Sequence, residues 1–220
     1  AGGAWLELAV LRAADGAQGD LFGSALALSG EQLLVGAPFT ATGGTAYFYE
    51  RDAASGAWLE RARRSPPATS PGAAFGASLD LEGPLALVGA PAYAAAGAVF
   101  AFERGPAGWR AQGALYPGYA GPPKGGDAFG ASVCLAGGRA LVGVPGRDAE
   151  GSGTDSGAAL LFARGAGPGG WLASGVLAPL APQADELFGE RVALSGSTAL
   201  VGAPDSAEGG AVYVLRAEPG

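Results

Sequence analysis

The stretch FGASLDLEGPLALVGAP, residues 75–91, decides the fold. Leu79 and Leu81 alternate with Asp80 and Glu82, Gly83 and Pro84 form a turn, and Leu85 to Val88 lead into Gly89, Ala90 and Pro91. Alternation with period two around a glycine-bearing turn predicts two antiparallel strands in a hairpin. Pro91 has no N–H to give to a ladder and closes the second strand. The stretch is one of four. Phe-Gly recurs at 22–23, 75–76, 129–130 and 188–189, and 14 residues after each Phe comes the glycine of Val-Gly-Ala/Val-Pro: Gly36, Gly89, Gly143 and Gly202.

Two more landmarks complete the unit. GTAYFYER from Gly44, GAVFAFER from Gly97, GAALLFAR from Gly157 and GAVYVLR from Gly210 read as a third strand. Trp5, Trp58, Trp109 and Trp171 each open a fourth apolar-rich stretch, 17 to 20 residues before the next Phe. The period is thus 53 to 59 residues. Four short strands per unit, joined as a meander and repeated at that interval, describe a propeller blade. The whole chain, residues 1–220, is expected to be one all-β domain of four four-stranded blades. The Trp5 stretch, paired with residues 210–216, is expected to complete the fourth sheet and close the ring. The alternative is an arc of a larger seven- or eight-bladed propeller.

FG followed by VGAP resembles the FG-GAP repeat of integrin α-subunit propellers, and more closely the related repeats of many secreted and surface proteins. The resemblance spans nearly all of the chain in four copies. It implies a β-propeller in a secreted, cell-surface or lumenal setting, and an interaction face at one end of the blades. Integrin-type repeats often carry calcium in an Asp-x-Asp-x-Asp-Gly loop between FG and GAP. This chain departs from that pattern: SALALSGEQLL, residues 24–34, leaves room for a hairpin only, and Asp80 and Glu82 stand alone in the second copy. No metal and no cofactor are therefore expected. Loop 146–156 gathers Asp148, Glu150, Ser152 and Asp155, yet counting from Asp148 puts Ala159 where an EF-hand needs its bidentate Glu.

Composition narrows the function. With 41 Gly and 16 Pro but 49% hydrophobic and only 15% charged residues, the chain has the apolar content to fold. A net charge of −7 disfavours nucleic acid, whose affinity comes from Lys and Arg on phosphates. No apolar run approaches the ~18 residues of a spanning helix, so direct membrane insertion is not expected. There is no His, so Ser-His-Asp and Cys-His arrangements cannot be assembled. Asp185 and Glu186, adjacent before a Phe-Gly, read as a solvated loop. Cys134 replaces Ala27, Asp80 and Ala193 of the other copies and reads as a small strand residue.

Loop lengths point to one face. The spacing from the GAP glycine to the glycine opening the third strand is 8, 8, 14 and 8, and the Trp-to-Phe spacing is 17, 17, 20 and 17. Both expansions fall in the third copy, and in a meander both emerge at the same end. They supply Tyr116, Tyr119 and Lys124 in loop 116–127, and Arg147, Asp148 and Glu150 in loop 146–156, with Tyr and Arg favoured as interface anchors. These six residues are the candidate partner-binding set. The chain is expected to be a non-enzymatic protein-interaction or assembly module, with a carbohydrate-binding module as the alternative and a propeller hydrolase or lyase as a more distant one.

Overall fold

The computed structural model describes residues 4–67, 70–117, 124–148, 154–165, 170–207 and 209–218. Among these residues fifteen strands form four antiparallel sheets, arranged as the four blades of a β-propeller. The first sheet is β1 (Ala25–Ser29), β2 (Gln32–Ala37), β3 (Thr45–Arg51) and β4 (Trp58–Arg64), in that order. The second is β5 (Ser78–Glu82), β6 (Leu85–Ala90), β7 (Ala98–Gly105) and β8 (Gly108–Leu115). The third is β9 (Val133–Ala136), β10 (Arg139–Val144), β11 (Ala158–Arg164) and β12 (Trp171–Leu177). The fourth has three strands, β13 (Arg191–Ser195), β14 (Thr198–Ala203) and β15 (Ala211–Arg216).

The hairpin register follows the sequence landmarks. Leu79 faces Val88 and Glu82 faces Leu85 across the turn, where Gly83 takes a φ of 54°. Such a left-handed conformation suits a residue without Cβ. Blades are glued by the small-residue motifs. Phe75, Phe129 and Phe188 are fully buried between their own sheet and the one before, in three apolar clusters that run from blade to blade. Ion pairs repeat along the outer surface, Arg104 to Glu50 at 2.5 Å and 3.0 Å, and Arg164 to Glu103 at 2.7 Å.

The expected four-stranded fourth sheet is not formed. Residues 4–10 carry no strand, and among the described residues β15 pairs only with β14. The reason lies in the packing. The inner strands β1, β5, β9 and β13 pack in succession, but among the described residues the fourth sheet does not pack against the first. The N-terminal stretch therefore meets the first blade instead, where Leu11 and Ala13 lie on Val35, Tyr47 and Tyr49. Tyr47 donates its hydroxyl to Asp15 at 3.0 Å, and burial with this carboxylate pushes the phenol up to about 12.

Candidate functional site

Because each blade is a meander, the connections leaving β2, β6, β10 and β14 and those entering β1, β5, β9 and β13 share one end of the propeller. The two expanded loops of the third blade meet there. Lys124 Nζ sits 2.9 Å from Asp148 Oδ2, bridging one loop to the other. The main chain reinforces the contact: Gly146 donates its N–H to the Asp127 carbonyl at 3.1 Å, and Gly126 donates to Ala95 of the second blade at 3.0 Å. The approach is so close that a Cβ on Gly146 would lie 2.0 Å from the Gly126 oxygen. Asp127 is buried and takes the Lys124 N–H on its Oδ2 at 3.0 Å.

On the other side of the pair, Asp148 Oδ1 accepts the Asp155 N–H at 3.1 Å. The Lys124 ammonium and this N–H hold the Asp148 carboxyl below the usual range, while Asp148 raises the Lys124 ammonium. The 146–156 loop also reaches the fourth blade. Thr154 accepts the Asp185 N–H at 2.8 Å, and Asp155 accepts that of Leu187 at 3.2 Å. The face is thus continuous from Ala95 to Asp185, with charged groups fixed by hydrogen bonds in place of free side chains.

Of the candidate set, Lys124 and Asp148 form the bridge, and Tyr116 stands exposed just past β8. Arg147 is half-buried, and its carbonyl accepts from Ser156 Oγ at 3.3 Å and from Gly157 N at 2.9 Å. Tyr119 and Glu150 lie outside the described residues. Three exposed apolar side chains among the described residues on the same end were not anticipated: Leu21, before β1, Phe39, after β2, and Leu180, after β12. Aligning the copies shows the signal for Phe39. The position after the GAP proline holds Ala92, Gly146 and Asp205 in the other units, so an aromatic ring there is out of pattern.

The carboxylates between FG and GAP bind main chain. Asp80 accepts Leu81 N at 2.8 Å and, across the blade boundary, Leu135 N at 2.6 Å; Glu82 accepts Gly137 N at 2.8 Å. Among the described residues no three His, Cys, Asp or Glu side chains are grouped to hold a metal. Asp185 and Glu186 do not share one solvated loop environment. Asp185 is exposed, but Glu186 is buried and accepts the Tyr213 hydroxyl at 3.2 Å. Glu186 falls two residues before its Phe, the register position at which Ala73 and Asp127 are also buried, so the repeat turns this side chain inward. Cys134 is half-buried in β9, and burial, with Asp80 and Glu82 nearby, pushes its thiol up to about 11. A thiol so placed is a poor nucleophile.

The family model described as FG-GAP repeat matches residues 5–49 and 171–215. No curated protein matches the chain. Among solved structures, the crystal structure of a protein from Lactobacillus plantarum is similar, at 14% identity and a TM-score of 0.54. The match covers 90% of this chain and 56% of that one, so the chain spans little more than half of its length. Identity at this level bears on the fold alone.

Proposed function

We propose that this propeller of FG-GAP repeats is a non-enzymatic protein-interaction or assembly module, docking its partner on the end that carries loops 116–127 and 146–156. The Lys124–Asp148 bridge carries the reading, because it ties the chain's two loop expansions into one surface on a rigid scaffold. Exposed Tyr116, Phe39 and Leu180 on the same end add apolar contact area of the kind that anchors interfaces. A secreted, cell-surface or lumenal setting suits such a module. Affinity capture tests this: the immobilised chain is compared with a Tyr116→Ala/Arg147→Ala double variant as bait. A protein held by the wild-type chain and lost from the variant supports the reading. Equal recovery on both baits contradicts it.

A further inference from the structure

We propose that two copies of this chain close into one eight-bladed ring, the Phe22-Gly23 turn of each copy entering a glycine-lined seat on the fourth blade of the other. At every internal junction the Phe-Gly turn of one blade sits in such a seat on the blade before. Phe75, Phe129 and Phe188 donate their N–H groups to Gly43, Ala96 and Ser156 at 2.9, 2.9 and 3.3 Å, and each forms a parallel bridge with Gly44, Gly97 or Gly157. The floor of the seat is Gly36, Gly89 or Gly143. A Cβ there would lie 2.0, 2.2 or 1.9 Å from the carbonyl oxygen of Gly76, Gly130 or Gly189 in the next blade.

The fourth blade carries the same seat with no turn in it. A Cβ on Gly202 would meet nothing nearer than Arg191 at 3.6 Å. A cavity of about 700 Å³ opens there, lined by Gly202, Ala203, Pro204, Gly210 and Val212. Arg191 stands at its rim, where the inner blades have Ser78 and Ser132. The first blade has the converse: a turn with no seat among the described residues, Phe22 packing within its own blade on the cluster of Val35, Ala37, Tyr47 and Tyr49, with Tyr47 at 5.2 Å between ring centroids.

The apolar faces agree. Leu26 and Leu28 of the first blade are 64% and 66% exposed, whereas their counterparts Leu79, Leu81, Val133 and Leu135 are at most 9% exposed. On the opposite face, Val212 and Val214 of the fourth blade are 68% and 70% exposed, against 0% and 2% for Val99 and Ala101. One chain thus holds both halves of one more blade junction and cannot bring them together.

The outer strands give the same answer. Trp58 and Trp171 open the outermost strand of their sheets and Trp109 is the second residue of its own, and the chain then crosses to the next sheet. The Trp5 stretch leads into the first blade in the same way, yet Trp5 is 101% exposed, and among the described residues the outer edge of β15 has no strand on it. Residues 5–11 of one copy complete the fourth sheet of the other. An exposed strand edge of this kind invites pairing. Two copies related by a two-fold axis make two identical junctions and leave no open face. Eight blades lie within the usual range of roughly four to eight for propellers.

Native mass spectrometry and light scattering of the purified chain test the proposal, with twice the chain mass expected. Gly202→Val fills the seat in a strand position with open space above it, so the variant is expected to keep the wild-type circular dichroism spectrum and lose the dimer. Leu26→Asp/Leu28→Asp, on a face exposed in the single chain, is expected to do the same. Mixing the two variants should restore a dimer containing one of each, because one junction then keeps both wild-type faces. A monomeric wild-type chain, a dimeric Gly202→Val, or a mixture that stays monomeric overturns the proposal.

Discussion

Replacing Gly143 with Ala should separate the third and fourth blades. The added Cβ would lie 1.9 Å from the carbonyl oxygen of Gly189, and ordinary contact needs about 3.5 Å. Both groups are fixed to main chain: Gly143 sits in β10, and Gly189 donates its N–H to Gly202 at 3.0 Å. No rotamer change relieves the clash, so the blades must part by about 1.5 Å, loosening the contacts of Phe188, Leu141 and Val201. Overpacking of a tight interior costs ~1–3 kcal/mol and sometimes more, and a backbone-to-backbone clash belongs at the upper end. At roughly 2–4 °C per kcal/mol for a domain of this size, the melting temperature should fall by about 6–12 °C. The control is Gly175→Ala in β12, whose Cβ would meet Leu161 at 3.7 Å, an ordinary contact. It should leave the melting temperature unchanged or slightly raised, since Ala is favoured over Gly in a strand by roughly 0.5–1 kcal/mol. Thermal melts followed by circular dichroism decide; a Gly143→Ala variant melting with the wild type would refute this account of the blade junction.

Arg104→Gln should destabilise the first junction by up to ~1 kcal/mol at neutral pH, a modest figure because the Arg104 side chain is 42% exposed to solvent. Arg104 holds the Glu50 carboxyl below its ordinary value of 4.5, so the stabilisation is present above that value and lost as pH falls through the depressed one. The difference between wild type and variant should therefore vanish in acid, as urea titrations at several pH values would show. Cys134, with its thiol raised from 9.0 to about 11, should react with a disulfide reagent at pH 8 more slowly than an ordinary thiol by roughly tenfold or more, the scarcer thiolate outweighing its higher nucleophilicity, and at the normal rate once unfolded. EDTA should leave the melting temperature unchanged, since Asp80 and Glu82 are occupied by main-chain N–H groups; a drop on chelation would reveal a bound ion.

The blade plan was legible in the sequence because its landmarks are local. A fixed interval between Phe-Gly and Val-Gly-Ala-Pro specifies a hairpin, and β1–β2, β5–β6, β9–β10 and β13–β14 lie on it. The meeting of the two third-blade loops followed from the meander, which fixes the end at which each connection emerges. What the repeat could not convey was the angle between blades. It depends on how closely Gly36, Gly89 and Gly143 admit the next backbone; Trp5 stands fully exposed, and among the described residues β15 pairs with β14 alone. The inward turn of Glu186 was hidden because its neighbour Asp185 and its place in a polar loop suggested solvent. Partners such as Lys124 and Asp148, 24 residues apart, pair only once the loops have folded.

Hydroxyl-radical footprinting of the chain, free and with the protein it captures, tests the interaction face most directly. Binding through the end that carries the expanded loops predicts reduced oxidation of Tyr116, Phe39 and Leu180, all exposed in the free chain. Leu59, on the outer strand β4, should be unchanged. Protection confined to the opposite turns around Gly30, Gly83, Gly137 and Gly196, with Tyr116, Phe39 and Leu180 oxidised as in the free chain, would contradict the assignment.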